Sequence, residues 1–427
     1  MRILLFTGGA GTMYCGSCLR DNALASALIK RGHDVVLTPV YTPTRTDEQN
    51  VSGQQVFFGG ISVYLEQHSA LFRRAPKFVH RLLDSNWALR LATRRQIKVD
   101  PQSLGELTVS MLRGEQGFQK PEIEKLLEWL KTERFDVVNL PYTLLLGLAE
   151  PLKRTLGVPV CVTLQGEDLF LDGLGEPWKS QSMALIQEAS RHVDAFLPVS
   201  QYYADYMPGY LGVPASKMRL APLGINLAGF PEEPRTRSGP FTVGYFARVA
   251  PEKGLHLLAE AYVKFRGQPG SDGSRLLAAG YMADEHREYL ERAKRTLADA
   301  GLAGEFQYRG ELSRDDKIAF LRSLDVLSVP APYHEPKGIF LMEAMAAGVP
   351  VVQPRHGAFI EMIEKTGGGL LVEPGDATAL ADGLSAIHRD PELAKALGTA
   401  GAQGVREHYT LERMATRVEA IYQDLTS

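Results

Sequence analysis

Two glutamates in one short segment carry the strongest chemical signal of the sequence. Glu335 lies in a loop after an apolar run, and Glu343 lies eight positions later, in a helical pattern that begins near Ile339. The N-terminus of a helix offers unpaired backbone N–H groups and a partial positive charge, and Gly338 lets the backbone approach a ligand closely. The segment therefore predicts a seat for a phosphate or diphosphate, with carboxylates that hold hydroxyl groups on either side of it.

Two basic residues upstream fit the same ligand. Arg248 and Lys253 follow the apolar run Phe241–Phe246, and a Lys-Gly step opens the next helical pattern at Gly254. A leaving nucleoside diphosphate gains negative charge in the transition state, so fixed cations accelerate its departure. The alternative, for the basic pair and for the two glutamates, is that they are solvated surface charges.

Alternating strand and helix patterns must position these residues. A strand at Ile3–Thr7, a helix at Leu19–Ile29 and a strand at Asp34–Thr38 form a unit that implies a parallel sheet. The alternation pauses between 222 and 240, where prolines and glycines are dense, and then restarts. We therefore predict an α/β fold with two doubly wound domains, at 1–231 and 232–410. Ligands bind beyond the carboxyl ends of such strands, so two facing sheets imply a site in the cleft between them.

Composition excludes several classes of protein. The chain has 427 residues, and its 47 Lys and Arg against 50 Asp and Glu leave a net charge of −3, without the basic field of a general nucleic-acid binder. Three cysteines are too few for a disulfide scaffold and favour a reducing compartment, so the cytoplasm is the expected location. The run Ile3–Phe6 is too short for a signal peptide, and we expect neither export nor a membrane span.

Cys15 and Cys18 form a C-x-x-C pair. One such pair is a weak signal for zinc, which takes four ligands at structural sites, unless Cys161 or a distant histidine completes the set. Zinc or redox chemistry is thus the alternative to simple packing at the start of a helix or the lining of an acceptor pocket. His334 is a candidate for lining the donor pocket, whereas surface or packing roles are expected of His256, His286, His356 and His388.

Residues 68 to 118 interleave basic and apolar residues. This pattern favours one or two amphipathic helices on the acceptor side with solvated basic faces, and contact with an anionic acceptor or a membrane surface is the alternative. The basic residues are Arg73, Arg74, Lys77, Arg81, Arg90, Arg94, Arg95 and Lys98.

Several segments resemble one known family over nearly the whole chain, most strongly from 241 to 425. The family's hallmark, Glu followed by seven residues and a second Glu, matches the stretch from Tyr333 to Pro350. Its Gly-Arg, five-residue, Lys-Gly segment is similar to residues 244 to 254, with Ala247 in place of the glycine. On these segments, and on Pro222–Asn226, Phe230 and Gly368–Asp376, the chain resembles the retaining nucleotide-sugar glycosyltransferases of the GT-B fold, family 4 (group 1).

The resemblance implies an enzyme with two Rossmann-like domains facing each other across a cleft, and a C-terminal helix at 411–427 that joins the N-terminal domain. The implied reaction is transfer of a hexose from a UDP-, GDP- or ADP-sugar to a small-molecule, glycan or lipid-linked acceptor, with retention at the anomeric carbon. The nucleotide sugar would be a co-substrate. Neither a cofactor nor a metal is expected, because basic side chains and the helix N-terminus replace the cation.

The resemblance implies a role in the donor site for each residue at a position that matches the family's motifs. Arg248 and Lys253 would bind the diphosphate, Glu335 the donor-sugar hydroxyls and Glu343 the ribose; Arg248, Lys253 and Glu335 are therefore the candidate catalytic residues. Backbone groups of the segment from 338 to 340 would contact the phosphates, and the segment from 308 to 312 would frame the base. The further donor contacts so implied are Gly338, Ile339, Phe340, Tyr308 and Leu312.

The glycine loop after the first strand departs from a dinucleotide fingerprint, because Tyr14 stands where the third glycine is required. A nicotinamide cofactor is therefore not expected. In the family this loop lies near the donor phosphate and the acceptor, which makes Gly9 and Gly11 candidate donor contacts through their backbone and Thr12 a candidate on the acceptor side.

Gln165 stands where members of the family usually have a histidine that faces the reacting sugar. A neutral amide hydrogen-bonds a hydroxyl group but is not a base at neutral pH. In the family the leaving phosphate oxygen helps to deprotonate the acceptor, so the replacement need not abolish transfer. Glu167 and Asp168 are candidates for a carboxylate on the acceptor side, with a capping or loop role as the alternative for each.

Two other functions remain open at this stage. The missing histidine fits a catalytically silent nucleotide-sugar binder, and the fold also fits a phosphorylase or an epimerase. The base, the sugar, the acceptor and the oligomeric state are not specified by the sequence. For a transferase, Lys253→Ala is expected to lower kcat/KM by about a hundredfold or more while leaving the fold intact.

Overall fold

A computed structural model describes residues 1–9, 15–53, 56–58, 101–232 and 239–427, with only the backbone of residues 101–103. The chain divides into two compact units. Unit 1 comprises Met1–Pro222 and Met414–Ser427, and unit 2 comprises Leu223–Arg413. Of the segment predicted from 68 to 118, residues 68 to 100 with all its named basic residues lie outside the described residues, as do Gly11 and Thr12. The described part of that segment begins with a helix at Pro101–Leu112.

Unit 1 is built on a five-stranded sheet in the order β2-β1-β3-β4-β5, and the pairings between neighbouring strands are parallel. Its strands are β1 (Arg2–Thr7), β2 (Asp34–Pro39), β3 (Val137–Leu140), β4 (Val160–Leu164) and β5 (Ala195–Pro198). Its described helices are α1 (Gly16–Lys30), α2 (Pro101–Leu112), α3 (Lys120–Leu130), α4 (Ala149–Leu156), α5 (Asp168–Gly173), α6 (Trp178–Ala189) and α7 (Gln201–Leu211).

Unit 2 repeats this plan with six strands in the order β11-β10-β9-β6-β7-β8, again with parallel pairings. The strands are β6 (Thr242–Phe246), β7 (Arg275–Ala279), β8 (Phe306–Tyr308), β9 (Val326–Leu327), β10 (Val351–Pro354) and β11 (Gly369–Val372). The helices that follow them are α8 (Leu255–Arg266), α9 (Arg287–Asp299), α10 (Arg314–Arg322), α11 (Ile339–Ala346), α12 (Ala358–Thr366), α13 (Ala377–Arg389), α14 (Pro391–His408) and α15 (Leu411–Thr426).

Interior strands of both sheets are mostly apolar and fully buried. Every residue of β3 and β4 is buried, as is every residue of β10. Parallel strands read as continuous Val- and Leu-rich runs when both faces of their sheet are covered, so their sequences lack the alternation of a half-exposed sheet. The cores thereby hold the carboxyl ends of the strands, where polar loops begin, in fixed positions.

The boundary between the units lies earlier than the predicted break at 231. The Ile225 amide donates to the Tyr409 carbonyl (2.8 Å), and the Leu411 amide donates to the Ile225 carbonyl (3.2 Å). Gly224 lies against the same backbone, since a Cβ there would be 2.2 Å from the Thr410 oxygen. These contacts attach residues 223–231 to unit 2.

The last helix, α15, enters unit 1 from Met414 onward. Glu419 on this helix pairs with Arg31, and its Oε1 lies 2.9 Å from His33 Nε2. Tyr422 is fully buried. The Glu419 contacts attach the end of the chain to the segment between α1 and β2.

Within the described residues, no helix combines the length and the apolar character needed to cross a membrane.

Candidate active site

The predicted donor residues of unit 2 lie at the carboxyl ends of three strands, β9, β6 and β8. The strand order places β9 beside β6, then β7 and β8. Lys253 follows β6 and Glu335 follows β9. Because β6 and β9 pair side by side, the loops after them are neighbours although they are far apart in the sequence. This edge of a parallel sheet is the position at which ligands of such folds bind.

Glu335 is the centre of a buried polar cluster at this edge. Its carboxylate forms an ion pair with the Lys253 ammonium and accepts a hydrogen bond from the Tyr333 hydroxyl (2.6 Å). Lys253 Nζ also donates to the Tyr333 hydroxyl (3.1 Å). The side chain of Glu335 is 2% exposed and that of Lys253 is 14% exposed. Carboxylate, ammonium and phenol are thus held together with little access to water.

The charge state of Glu335 follows from these contacts. Burial alone would raise the pKa of its carboxyl, but the charge and hydrogen bond of Lys253 outweigh it. The Tyr333 hydrogen bond and the charge of Lys337 act in the same direction, and together they lower the pKa to about 2. Glu335 is therefore an anion throughout the physiological range of pH, an acceptor of hydrogen bonds and not a proton donor.

The backbone of Glu335 is fixed by the loop after β10. The Ala358 amide donates to the Glu335 carbonyl (2.8 Å), and Gly357 lies so close that a Cβ on it would be 2.7 Å from the same oxygen. The Lys337 amide donates to Glu335 Oε1 (3.2 Å). Loops after two strands therefore determine where this carboxylate points.

Helix α11 begins at Ile339, as the sequence predicts. Gly338 at its N-cap has φ +58, and none of the described side chains caps the helix. The first N–H groups of a helix have no intrahelical partner, so those of Ile339 and Phe340 are suited to an anion. A methyl group at Gly338 would be 2.9 Å from the sulfur of Met362, which adds a packing reason for glycine here.

Glu343 pairs with a lysine that the sequence analysis did not single out. Lys317 Nζ on α10 donates to Glu343 Oε1 (2.7 Å), and the two side chains are 7% and 12% exposed. Lys317 belongs to a helix with many charges, and nothing in its local pattern distinguishes it from a solvated residue. Within the described ranges the hydrogen bond from Lys317 falls on Oε1, so Oε2 is the oxygen of Glu343 that can accept one from a ligand.

Arg248 contacts a different carboxylate, that of Glu252, and its side chain is 46% exposed. The backbone around it is held by Tyr245, whose hydroxyl donates to the Arg248 carbonyl (2.9 Å). Arg248 is therefore a more exposed charge than Lys253, held by a neighbour on its own loop.

Tyr308 and Leu312, predicted to frame the base, are both half-buried near the end of β8. The Tyr308 hydroxyl donates to the Gly280 carbonyl (2.6 Å). Gly280 has φ +135, and a Cβ there would be 2.0 Å from the Ala247 oxygen. Tyr308 thus secures the loop after β7 against the loop after β6.

His334 and His356 stack with ring centroids 4.8 Å apart next to Glu335. His334 is exposed, whereas His356 is buried and neither of its ring nitrogens has a hydrogen-bond partner among the described residues. Burial and the charge of His334 lower the pKa of His356. The predicted packing role of His356 fits this position beside the site.

In unit 1, Gly9 has a steric role. It has φ +72, and a Cβ on it would be 1.8 Å from the Thr42 carbonyl oxygen. Only glycine fits between this loop and the backbone after β2.

The three acceptor-side candidates after β4 are buried, and each forms hydrogen bonds with other groups of the same chain. Glu167 accepts hydrogen bonds from the Gln165 and Gly166 amides (2.9 and 3.0 Å), and Asp168 accepts one from the Tyr203 hydroxyl (2.7 Å). Burial raises the pKa of both carboxyls. Gln165 donates to the Pro141 carbonyl (2.8 Å). These contacts favour the loop role over the chemical one for Glu167.

No group of three or more His, Cys, Asp or Glu side chains that could hold a metal ion occurs in the part of the chain that the structure describes. A cavity of about 690 Å³ in unit 2 lies away from the predicted donor site, at the amino ends of β6, β9 and β10. Phe241, Asp325 and Pro350, which precede these strands, line it.

Comparison with known proteins identifies the family. Residues 230–404 match the family model described as glycosyl transferases group 1, and residues 21–224 match the one described as glycosyl transferase 4-like domain. The chain belongs to the group 1 glycosyltransferases, family 4, and its fold is GT-B.

Curated relatives are similar over part of their length. The lipopolysaccharide core biosynthesis mannosyltransferase LpcC of Rhizobium leguminosarum bv. viciae is 31% identical over 202 residues, 47% of this chain and 54% of that protein. A phosphatidyl-myo-inositol mannosyltransferase of Mycobacterium leprae is 32% identical over 214 residues, 48% of this chain and 53% of that protein. The chain thus spans about half the length of the curated relatives it matches.

Solved structures extend the likeness of fold to the whole chain. Sucrose-phosphate synthase from Thermosynechococcus elongatus superposes with a TM-score of 0.71 at 18% identity, covering 99% of this chain and 98% of that one. HepE of Anabaena in complex with UDP gives 0.69 at 16% identity, covering 100% of both chains.

Proposed function

We propose that this protein is a retaining, metal-independent glycosyltransferase that takes a hexose from a nucleoside diphosphate sugar bound at the carboxyl edge of the unit 2 sheet. The observation that carries the proposal is the buried contact between Lys253 and Glu335. It joins a cation suited to a diphosphate to a permanent anion suited to sugar hydroxyls. Both lie on the edge where helix α11 presents its first N–H groups.

Each group has a distinct role in the proposed site. Lys253, which uses two of its three N–H donors on Glu335 and Tyr333, directs the third at the diphosphate. Arg248 adds charge from the exposed side, and the N–H groups of Ile339 and Phe340 bind phosphate oxygens. Glu343 Oε2 accepts hydrogen bonds from the ribose.

The transfer itself breaks the bond between the anomeric carbon and the diphosphate oxygen and forms a bond from an acceptor oxygen to the same carbon. The acceptor proton passes to the departing phosphate oxygen, because Gln165 is not a base. Cations and amides held at the leaving group stabilise the charge that develops there.

The donor to test first is GDP-mannose. The names of similar curated proteins from Rhizobium and Mycobacterium include mannosyltransferases, one of them GDP-mannose-dependent. UDP-glucose is the second donor, because a protein of like fold was solved with it. Lipopolysaccharide and phosphatidylinositol in the relatives' names support a glycan or lipid-linked acceptor, with transfer in the cytoplasm or at the inner face of a membrane.

Thermal shifts with UDP, GDP, ADP, dTDP and CMP, each with and without Mg²⁺, test the donor half of the proposal. A ligand at about 100 times its Kd adds roughly 2.7 kcal/mol of stability. Stabilisation by one nucleoside diphosphate without metal supports the site and names the base. No shift with any of them contradicts it. Binding without transfer to any acceptor, and without slow donor hydrolysis, would instead indicate a silent binder.

A further inference from the structure

Two cysteines stand at the start of helix α1 in unequal environments. Cys15 is the N-cap residue, with φ −111 and ψ 124, and is partly exposed. Cys18, within the first turn, is 2% exposed. A C-x-x-C pair with one accessible and one buried thiol has the layout of a nucleophile and a resolving partner.

The two thiols contact each other. A hydrogen bond with the Cys15 side chain, together with burial, raises the pKa of the Cys18 thiol well above its usual range. All three cysteines of the chain are in the thiol form. Cys161 is fully buried in β4. The chain therefore offers one pair of interacting thiols, three positions apart at the start of α1, and one isolated buried thiol as an internal control.

The helix favours a thiolate at Cys15. Cys15 lies at the N-terminus of a 15-residue helix that has no acidic residue in its first turn. The partial positive charge of a helix N-terminus lowers the pKa of a cysteine placed there. Cys15 is thus the thiol expected to react first.

A buried carboxyl lies next to the pair. Asp21 is 3% exposed, and its Oδ1 accepts a hydrogen bond from Arg20 Nη1 (3.2 Å). Oδ2 has no partner at hydrogen-bond distance among the described residues, although the Thr7 hydroxyl is near enough to lower the pKa of the carboxyl. Burial, opposed in part by Arg20, raises the pKa of Asp21 to about 6.

Charges and hydroxyls from several elements face this carboxyl. The negative charge of Asp21 raises the pKa of the Cys18 thiol, and the charge of Cys15 raises the pKa of Asp21. The other titratable or charged groups around the cluster are Arg20 on α1, Tyr142 after β3, Tyr41 after β2 and Tyr422 on α15. Among the groups around the two thiols, Asp21 is the one with a carboxylate oxygen that can accept a thiol proton at neutral pH.

We propose that Cys15 and Cys18 form a redox-active dithiol, which exchanges with small disulfides such as oxidised glutathione to give an intramolecular disulfide. The pair belongs to unit 1, whereas Lys253 and Glu335 belong to unit 2. The proposal does not depend on the proposed transferase function. Asp21 serves it as the acceptor of the Cys18 proton.

The exchange balances in two steps. The Cys15 thiolate attacks one sulfur of the small disulfide, which forms a mixed disulfide and releases the first small thiolate. Cys18 then passes its proton to Asp21 and attacks the Cys15 sulfur, which breaks the mixed disulfide and releases the second thiolate. Both cysteines are oxidised, the small disulfide is reduced to two thiols, and those thiols take up the two protons.

The test uses the full chain in glutathione buffers, followed by acid quenching, alkylation and peptide mapping by mass spectrometry. We expect the folded wild type and Cys161→Ser to form the Cys15–Cys18 disulfide. Cys18→Ser should stop at a glutathione adduct on Cys15, and Cys15→Ser should gain no adduct on Cys18. Free thiols in the oxidised wild type, or a disulfide formed only after unfolding, would overturn the proposal, as would equal reactivity of the two single variants.

Asp21→Asn tests the proton acceptor. We expect resolution of the mixed disulfide to slow by at least about tenfold at pH 7, and its dependence on Asp21 ionisation near pH 6 to disappear. Formation of the first adduct should be unchanged. A rate of resolution with the wild-type pH profile would remove Asp21 from the exchange. Thiol mapping needs neither nucleotide nor turnover, so its result stands apart from that of the transferase tests.

Discussion

Lys253 and Glu335 form an ion pair across 82 positions of the chain, and the carboxylate in it is almost completely buried. Neither group is stable alone in such a place, because an uncompensated buried charge is strongly destabilising. The pair therefore links the proposed chemistry of the donor site to the stability of unit 2. A change in either residue should be visible in both properties.

Lys253→Met is expected to lower kcat/KM by about a hundredfold or more, as for the loss of one group that stabilises a developing anion. It should also lower the free energy of unfolding by about 3–5 kcal/mol, because Glu335 loses its buried counter-charge. The expectation from the sequence, made for Lys253→Ala, is an intact fold, and the loss of stability is the addition that the structure makes. Steady-state kinetics and chemical denaturation measure the two.

The double variant Lys253→Met with Glu335→Gln is the control, since it removes both charges. Its stability should recover much of the loss, with a coupling free energy of up to about 3 kcal/mol, while activity stays low. Near-normal turnover in Lys253→Met would remove this lysine from the mechanism.

The pH dependence of stability should report the charge of Glu335. Its pKa is about 2 in the folded protein against an ordinary value of 4.5. A carboxyl with a lowered pKa stabilises the fold above its unfolded pKa, and that stabilisation is lost as the pH falls through the folded pKa. Wild type should therefore lose roughly 3 kcal/mol between about pH 5 and pH 2 that Glu335→Gln does not lose. Urea denaturation at each pH measures the free energy of unfolding of both proteins. An equal fall in the two over this range of pH would contradict the assignment.

Glu343 is expected to contribute to nucleotide affinity more than to the chemical step. Glu343→Gln should raise the Kd for the preferred nucleoside diphosphate by about tenfold or more, because a hydrogen bond to a charged group contributes about 1.5–3 kcal/mol. The value of kcat should change little. Isothermal titration and kinetics separate these effects.

The matched control for this variant is Glu364→Gln. Glu364 lies on α12 with its side chain 62% exposed, paired with Arg355 at 3.5 Å. Affinity should be unchanged there, since an exposed pair at this distance contributes little. Equal effects of the two substitutions would argue against a ribose contact at Glu343.

Local sequence patterns predicted much of the fold. The strand predicted at Asp34–Thr38 is confirmed as β2, which is one residue longer, and the helix predicted to begin near Ile339 is confirmed as α11. The helix predicted at Leu19–Ile29 is confirmed as α1, but α1 begins three residues earlier, at Gly16. Such patterns report burial and periodicity, which define the type of an element better than its ends.

Pairings between distant residues were beyond the sequence. Lys253 meets Glu335 because the sheet order brings β6 beside β9, and a single sequence carries no signal for that order. Glu167 shows the same limit in another way. A glutamate after a strand reads equally as a chemical group or as an acceptor for nearby amides, and only its contacts with the Gln165 and Gly166 amides favour the second.

Gly254 joins Lys253 to α8. A substitution at Gly254 tests whether the geometry of this loop positions Lys253 for nucleotide binding. Gly254 has φ +74, and a Cβ on it would be 2.0 Å from the Pro330 oxygen in the first part of the loop after β9. Gly254→Ala should therefore destabilise the protein by more than the roughly 1–2 kcal/mol of a left-handed backbone alone, and should weaken nucleotide binding by displacing Lys253.

Gly301→Ala separates the two contributions, because Gly301 has φ +77 and a Cβ on it would have no described atom within 4 Å. Gly301→Ala places alanine in the left-handed backbone conformation but causes no steric clash. Denaturation should therefore show a loss of only about 1–2 kcal/mol of stability, and titration should show an unchanged Kd for the nucleotide. The difference between the two variants then measures the contact of the Gly254 loop with Pro330. Equal losses of stability, with nucleotide affinity intact in both, would mean that the loop yields to the methyl group without moving Lys253.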